Sequence, residues 1–215
     1  DSEGFTINTD RANERTTLGQ DGENGDARWS NGGNVTISAR NTIKLGNITT
    51  DGSCDDPSTA ACTGTLSLSG IDTDNNSPGI QLSNVTVTQT GVLKVAGDTT
   101  FNTGTGTITL ENTANNFTKD LIFTSAGNTS ITDSSAIRLG TSSVTGNLKL
   151  TTGKESAQTS GSITQIGAVA VTGDTEFDAI ASVNNYVVDL SLANDFGGKV
   201  KTTKASSLKL VDIND

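Results

Sequence analysis

Val95-Ala96-Gly97-Asp98-Thr99-Thr100-Phe101 returns as Val171-Thr172-Gly173-Asp174-Thr175-Glu176-Phe177, 76 residues further along the chain. Two further matches keep the same order. Asn115-Asn116-Phe117 matches Asn194-Asp195-Phe196 at an offset of 79, and Thr107-Ile108-Thr109-Leu110 matches Asp189-Leu190-Ser191-Leu192 at 82. Three ordered matches near one offset mark a duplicated unit, of about four turns if the chain winds as a solenoid. A solenoid tolerates the drift in offset, because added residues become loops on one side. The approximate copies are 64–145 and 146–215, within a repeat body over 33–215. Phe101, Phe117, Phe177 and Phe196 recur at equivalent places and are expected to pack in the core or at corners.

Around these matches the apolar residues come in i, i+2 pairs. They run Val35/Ile37, Ile43/Leu45, Leu66/Leu68, Ile80/Leu82, Val85/Val87, Leu93/Val95 and Ile108/Leu110. Leu121/Phe123, Ile137/Leu139, Leu148/Leu150, Val169/Val171, Leu190/Leu192 and Leu208/Leu210 follow. That is the period of a strand with one buried face. No helical stripe competes with it. Gly, Asn and Asp separate the strands and mark frequent turns. Nine markers (Ile43, Leu66, Val85, Ile108, Ile131, Leu148, Val169, Leu190, Leu208) lie 23, 19, 23, 23, 17, 21, 21 and 18 residues apart. The expected fold is all-β, a right-handed parallel β-helix with turns of about 20 residues. Nine such turns make a rod on the order of 40 Å long at the inter-strand spacing. Residues 1–32 carry many charges and few apolar partners. They read as an irregular start or a long excursion, with Phe5/Ile7 as a candidate strand and Trp29 over an end or a loop.

Composition agrees with an elongated body. Hydrophobic content is 32%, low for a compact globule, which fits a thin core under a large polar surface. The net charge of −10 argues against nucleic acid and anionic membrane surfaces as partners. No apolar run is long enough to span a membrane. The chain begins without an initiator Met, as a processed chain or an excised fragment would.

Candidate chemistry is sparse. With no His in the chain, Ser-His-Asp and Cys-His nucleophile systems are excluded. Cys54 and Cys62 flank a short polar loop; a disulfide there fits an oxidising compartment, with free thiols or half a metal site as alternatives. Asp72, Asp74 and Asn76 open like a calcium loop, but Ser77 stands where its Gly belongs and Ser83 where its Glu belongs. Calcium is therefore a candidate on a partial loop, and no other cofactor is implied. Carboxylates for glycan cleavage would come from Asp55/Asp56, Asp72/Asp74, Asp98 and Asp174. Asp98 and Asp174 recur in Gly-Asp-Thr turns, where Asp is expected to bond its own backbone.

Gly32-Gly33-Asn34-Val35-Thr36-Ile37-Ser38-Ala39, Asn47-Ile48-Thr49-Thr50, the segment 161–173 and Leu192-Ala193-Asn194-Asp195-Phe196-Gly197-Gly198 resemble the repeat body of filamentous-haemagglutinin-like two-partner-secretion exoproteins. The resemblance covers roughly residues 30–215. It implies a bacterial adhesin stalk at the outer cell surface, exported through an outer-membrane partner and acting in attachment or biofilm formation. The Asn-Pro motifs of that family's secretion domain are absent from this sequence. The expected partners are surface molecules or glycans of host or neighbouring cells, and other β-helix segments end to end. No enzymatic activity is expected. Two alternatives are a carbohydrate-active β-helix (a polysaccharide lyase or hydrolase) and a self-assembling extracellular filament subunit.

Overall fold

A computed structural model describes residues 85–153, 161–179 and 186–214, together with the strands Ile7–Asn8, Val35–Ala39, Thr42–Leu45, Ile48–Thr49 and Leu66–Gly70. These residues form a parallel β-helix: every described strand pair is parallel, and no described segment is helical.

A seven-stranded sheet shows the winding most directly. Its strands are Thr42–Leu45, Thr86–Gln89, Ile108–Leu110, Thr129–Asp133, Leu148–Thr152, Thr175–Ala179 and Val200–Thr203. Successive register partners Val87, Ile108, Thr129, Leu148, Thr175 and Val200 lie 21, 21, 19, 27 and 25 residues apart, five circuits of the rod. A four-stranded sheet and a ten-stranded sheet complete the circumference. The strand Ile7–Asn8 pairs with Ile48–Thr49; the rest of 1–32, including Trp29, lies outside the described residues.

The nine apolar markers do not count nine turns. Ile43, Ile108, Ile131 and Leu148 sit on the seven-stranded face, whereas Leu66, Val169, Leu190 and Leu208 belong to the ten-stranded sheet. Inward positions on different faces look alike in sequence, and Thr129 and Thr175 fill inward positions that an apolar count skips.

The core is a single column of inward side chains. Phe101 and Phe123 stack with centroids 5.3 Å apart, and Phe177 meets Phe196 edge-on at 6.5 Å. Those four rings and Phe117 are buried, as core packing requires.

The duplicated unit is not a whole number of turns. From Gln89 the chain passes through Ile108–Leu110, Thr129–Asp133 and Leu148–Thr152 on the same face, and the next described strand is Ile163–Gln165. The offset of 76 residues is thus three turns and one further face, rather than about four turns. Thr86–Gln89 lies in the seven-stranded sheet and its counterpart Ile163–Gln165 in the ten-stranded one. Thr99–Asn102 and its counterpart Thr175–Ala179 are exchanged in the opposite sense. Equivalent residues of the two copies therefore face different directions around the rod.

Candidate lateral cleft

In each rung of the seven-stranded face, the residue before an inward side chain and the residue after it both point out, by strand alternation. Stacking turns these positions into two ridges along the rod. One ridge is Thr107, Asn128, Asn147, Asp174 and Lys199. The other is Thr109, Ser130, Lys149, Glu176 and Lys201, aligned rung by rung. The cleft between them has a volume of about 450 Å³ and is floored by Ile108, Thr129, Leu148 and Thr175. It crosses four rung intervals, roughly 19 Å at about 4.8 Å per rung.

The first ridge is held by a ladder. Asn128 Oδ1 accepts from the Asn147 N–H at 2.9 Å, Asn147 Oδ1 from the Asp174 N–H at 2.8 Å, and Asp174 Oδ1 from the Lys199 N–H at 2.9 Å. Glycines make room for this corner. A Cβ on Gly127 would lie 2.1 Å from Thr105 O, and one on Gly146 would lie 2.6 Å from Asn128 N. With the carbonyl ends occupied, the amide NH₂ groups of Asn128 and Asn147 are left for a ligand. On the second ridge Lys201 pairs with Glu176 at 3.7 Å, and Ser130 donates to Glu111. Among the described residues, Lys149 and Lys199 form no ion pair. From rung to rung the cleft thus offers hydroxyls (Thr107, Thr109, Ser130), amides (Asn128, Asn147), carboxylates (Asp174, Glu176) and ammonium groups (Lys149, Lys199, Lys201), with a different pair at each rung.

A second polar device lies at a corner of each copy. Asn115 is fully buried. Its Oδ1 accepts from Gln89 Nε2 at 2.9 Å and the Leu93 N–H at 3.0 Å, and its Nδ2 donates to Gln89 Oε1, Leu110 O and Thr132 O. Asn194 repeats this: Oδ1 accepts from Gln165 Nε2 at 2.8 Å and the Val169 N–H at 2.9 Å, and Nδ2 donates to Gln165 Oε1, Leu190 O and Val211 O. One rung further, Asp133 accepts from the Phe117 N–H at 2.9 Å, and Asp212 from the Phe196 N–H at 3.2 Å. Burial raises the Asp133 carboxyl to about 6, against the lowering effect of bonds from the Ser135 and Phe117 N–H groups and the Ser135 hydroxyl. Read from the sequence, Asn is a turn marker and Gln89 and Gln165 have no role. The signal was available, because the match at Val95/Val171 extends back to Gln89-Thr90-Gly91 and Gln165-Ile166-Gly167.

Of the carboxylates expected to carry chemistry, the described pair Asp98 and Asp174 is not brought together. Asp98 precedes a strand of the ten-stranded sheet and Asp174 one of the seven-stranded sheet, so the two lie at different corners. Neither bonds its own turn as expected; each accepts from the next rung, Asp98 from the Asp120 N–H at 3.3 Å and Asp174 from Lys199. In a stacked corner the nearest free N–H belongs to the neighbouring turn. Cys54 and Cys62, the calcium candidates Asp72, Asp74 and Asn76, and Asp55/Asp56 lie outside the described residues.

Two consecutive stretches, residues 58–124 and 126–203, match the family model described as repeats of unknown function (DUF5649). No curated protein and no solved structure matches the chain.

Proposed function

We propose that this chain, which belongs to the family of repeats of unknown function (DUF5649), is a structural and adhesive stalk segment that works outside a bacterial cell and holds cell-surface glycans along its side. The lateral cleft carries the reading. It is an open groove with a polar or charged side chain on both ridges at every rung, and its floor is regular backbone rather than a loop. A linear polysaccharide lying along the rod advances one pyranose over a distance comparable to the rung spacing of about 4.8 Å. Successive sugars would then each meet a rung with polar side chains on both ridges, and several weak contacts would add along the chain. Asn128, Asn147 and Thr109 would hold hydroxyls, and Lys149 and Lys199 a uronate carboxylate. The contacts position a polymer, and the reading asks for no bond cleavage.

The test is a titration of neutral and uronic-acid oligosaccharides into the purified chain, followed by amide chemical shifts. The expected result is a set of shifts along Thr107–Thr109, Asn128–Ser130 and Asn147–Lys149. Lys149→Glu with Lys199→Glu should weaken an acidic oligosaccharide about tenfold, as loss of two charge-assisted contacts implies. Shifts with neither class of glycan, or shifts confined to other faces, would overturn the reading.

A further inference from the structure

The Gln–Asn pair shared by the two corners, Gln89–Asn115 and Gln165–Asn194, acts as a rivet and gives an internal control for surface chemistry. Leu192 of the second copy corresponds to Asn112 of the first, because the N–H of each donates to the rivet glutamine at 3.3 Å; the sequence match at offset 82 is thereby corrected, since Leu110 corresponds to Leu190, each carbonyl accepting from the rivet asparagine. Val211 corresponds to Thr132, since each carbonyl accepts from the rivet asparagine. Ile213 corresponds to Ser134, each donating its N–H to the asparagine carbonyl. Ile166 and Thr90 follow the two glutamines directly. The backbone framework is the same and the outward chemistry is reversed. The first copy carries Thr90, Asn112, Thr132 and Ser134, whereas the second carries Ile166, Leu192, Val211 and Ile213, which are 59%, 41%, 41% and 60% exposed. Ala168 and Ala193 beside them are also exposed.

We infer that this apolar corner is a lateral docking surface for a second copy of the chain, with two rods lying side by side. Three observations favour that occupant. The stripe presents apolar side chains on successive rungs, so the partner that matches its period is another rod of the same rung spacing; an isologous pairing brings the stripe against itself. Four side chains amount to a few hundred Å², the size of a functional patch. That is well short of the roughly 800 Å² per partner of a stable complex, and so fits weak self-contact. None of the four is charged, so nothing selects an oppositely charged partner. Stacking at the end of the rod is a different contact. Ile166 and Leu192 lie on rungs below the last one and face outward, and a further turn over Ser207–Asp212 would leave them exposed.

Sedimentation velocity over a range of protein and salt concentrations tests the pairing. The wild-type chain is expected to sediment faster as its concentration rises, and more so at high salt, because screening weakens repulsion between copies of charge −10. Ile166→Thr, Leu192→Asn, Val211→Thr and Ile213→Ser together install the residues with which the first copy folds. This variant should keep the wild-type circular dichroism and sediment as a monomer at every concentration. Ile166→Thr with Leu192→Asn alone should remove most of the association. Concentration-independent sedimentation of the wild type would overturn the inference. So would association that survives the four substitutions, or that depends only on Val211 and Ile213.

Discussion

At the scale of single residues, the buried amides and one carboxyl set the energetics of the corners. Asn115 satisfies three backbone groups that have no other side-chain partner at that corner: the Leu93 N–H and the carbonyls of Leu110 and Thr132. Asn115→Ala removes these bonds in a dry place, and should cost about 3 kcal/mol in urea unfolding. Asn194→Ala should cost less, because its partner Val211 sits on an exposed rung where water can substitute. Asp133 predicts a pH dependence. Its folded pKa of about 6 lies above the ordinary 3.8, so between those values the folded state binds more protons than the unfolded one. Stability from this group therefore falls as pH rises from about 4 to about 6 and is flat beyond. Relative to Asp133→Asn, the wild-type melting temperature should climb as pH is lowered from neutral towards 4. A constant difference would show that the hydrogen bonds to the carboxylate balance its burial, and one of opposite sign that they outweigh it.

At the scale of strands and corners, the apolar pairs were legible because inward positions alternate along short strands. Leu66, Leu93/Val95, Ile108/Leu110, Leu121/Phe123 and Val169/Val171 are all buried as that spacing implies. Leu190/Leu192 broke the rule. The strand Val187–Phe196 turns a corner between Leu190 and Asn194, so Leu190 points in and Leu192 out. The strands that begin at Thr99, Ser142 and Thr175 were hidden from a count of apolar pairs, since a hydroxyl residue occupies their first inward site. The cleft was illegible for a related reason. Its ridges combine residues about 20 apart whose only common property is register, and register exists only once the turns are stacked. The glycine corner gives a prediction of its own. A Cβ on Gly127 meets backbone at 2.1 Å, whereas one on Gly197 first meets Thr172 O at 2.9 Å. Gly127→Ala should therefore destabilise by about 3 kcal/mol and Gly197→Ala by clearly less, as thermal or urea unfolding of the two variants would show.

At the scale of the whole rod, each turn contacts only the turns above and below it, so stability is close to a sum of nearest-neighbour terms. The inner rungs Ile108–Leu110, Thr129–Asp133 and Leu148–Thr152 are paired on both sides, and their inward side chains are buried. The rung with Val200–Thr203 and Ser207–Asp212 is paired, among the described residues, on one side only, and Leu208 is 45% exposed there. Opening that rung breaks one set of ladder bonds, whereas opening an inner rung breaks two and exposes Phe123 or Leu150. Native-state hydrogen exchange should therefore show a gradient along the axis. The amides of Thr129–Asp133 and Leu148–Thr152 exchange most slowly, close to the global unfolding free energy, and those of Ser207–Asp212 fastest. The lateral pairing inferred above would leave this gradient in place, because Ile166 and Leu192 contribute side-chain contacts and no ladder bonds to a partner. End-to-end assembly would pair the last rung and flatten the gradient at high protein concentration. Exchange measured at low and at high concentration thus separates the two modes of association, and uniform protection at low concentration would contradict the nearest-neighbour picture itself.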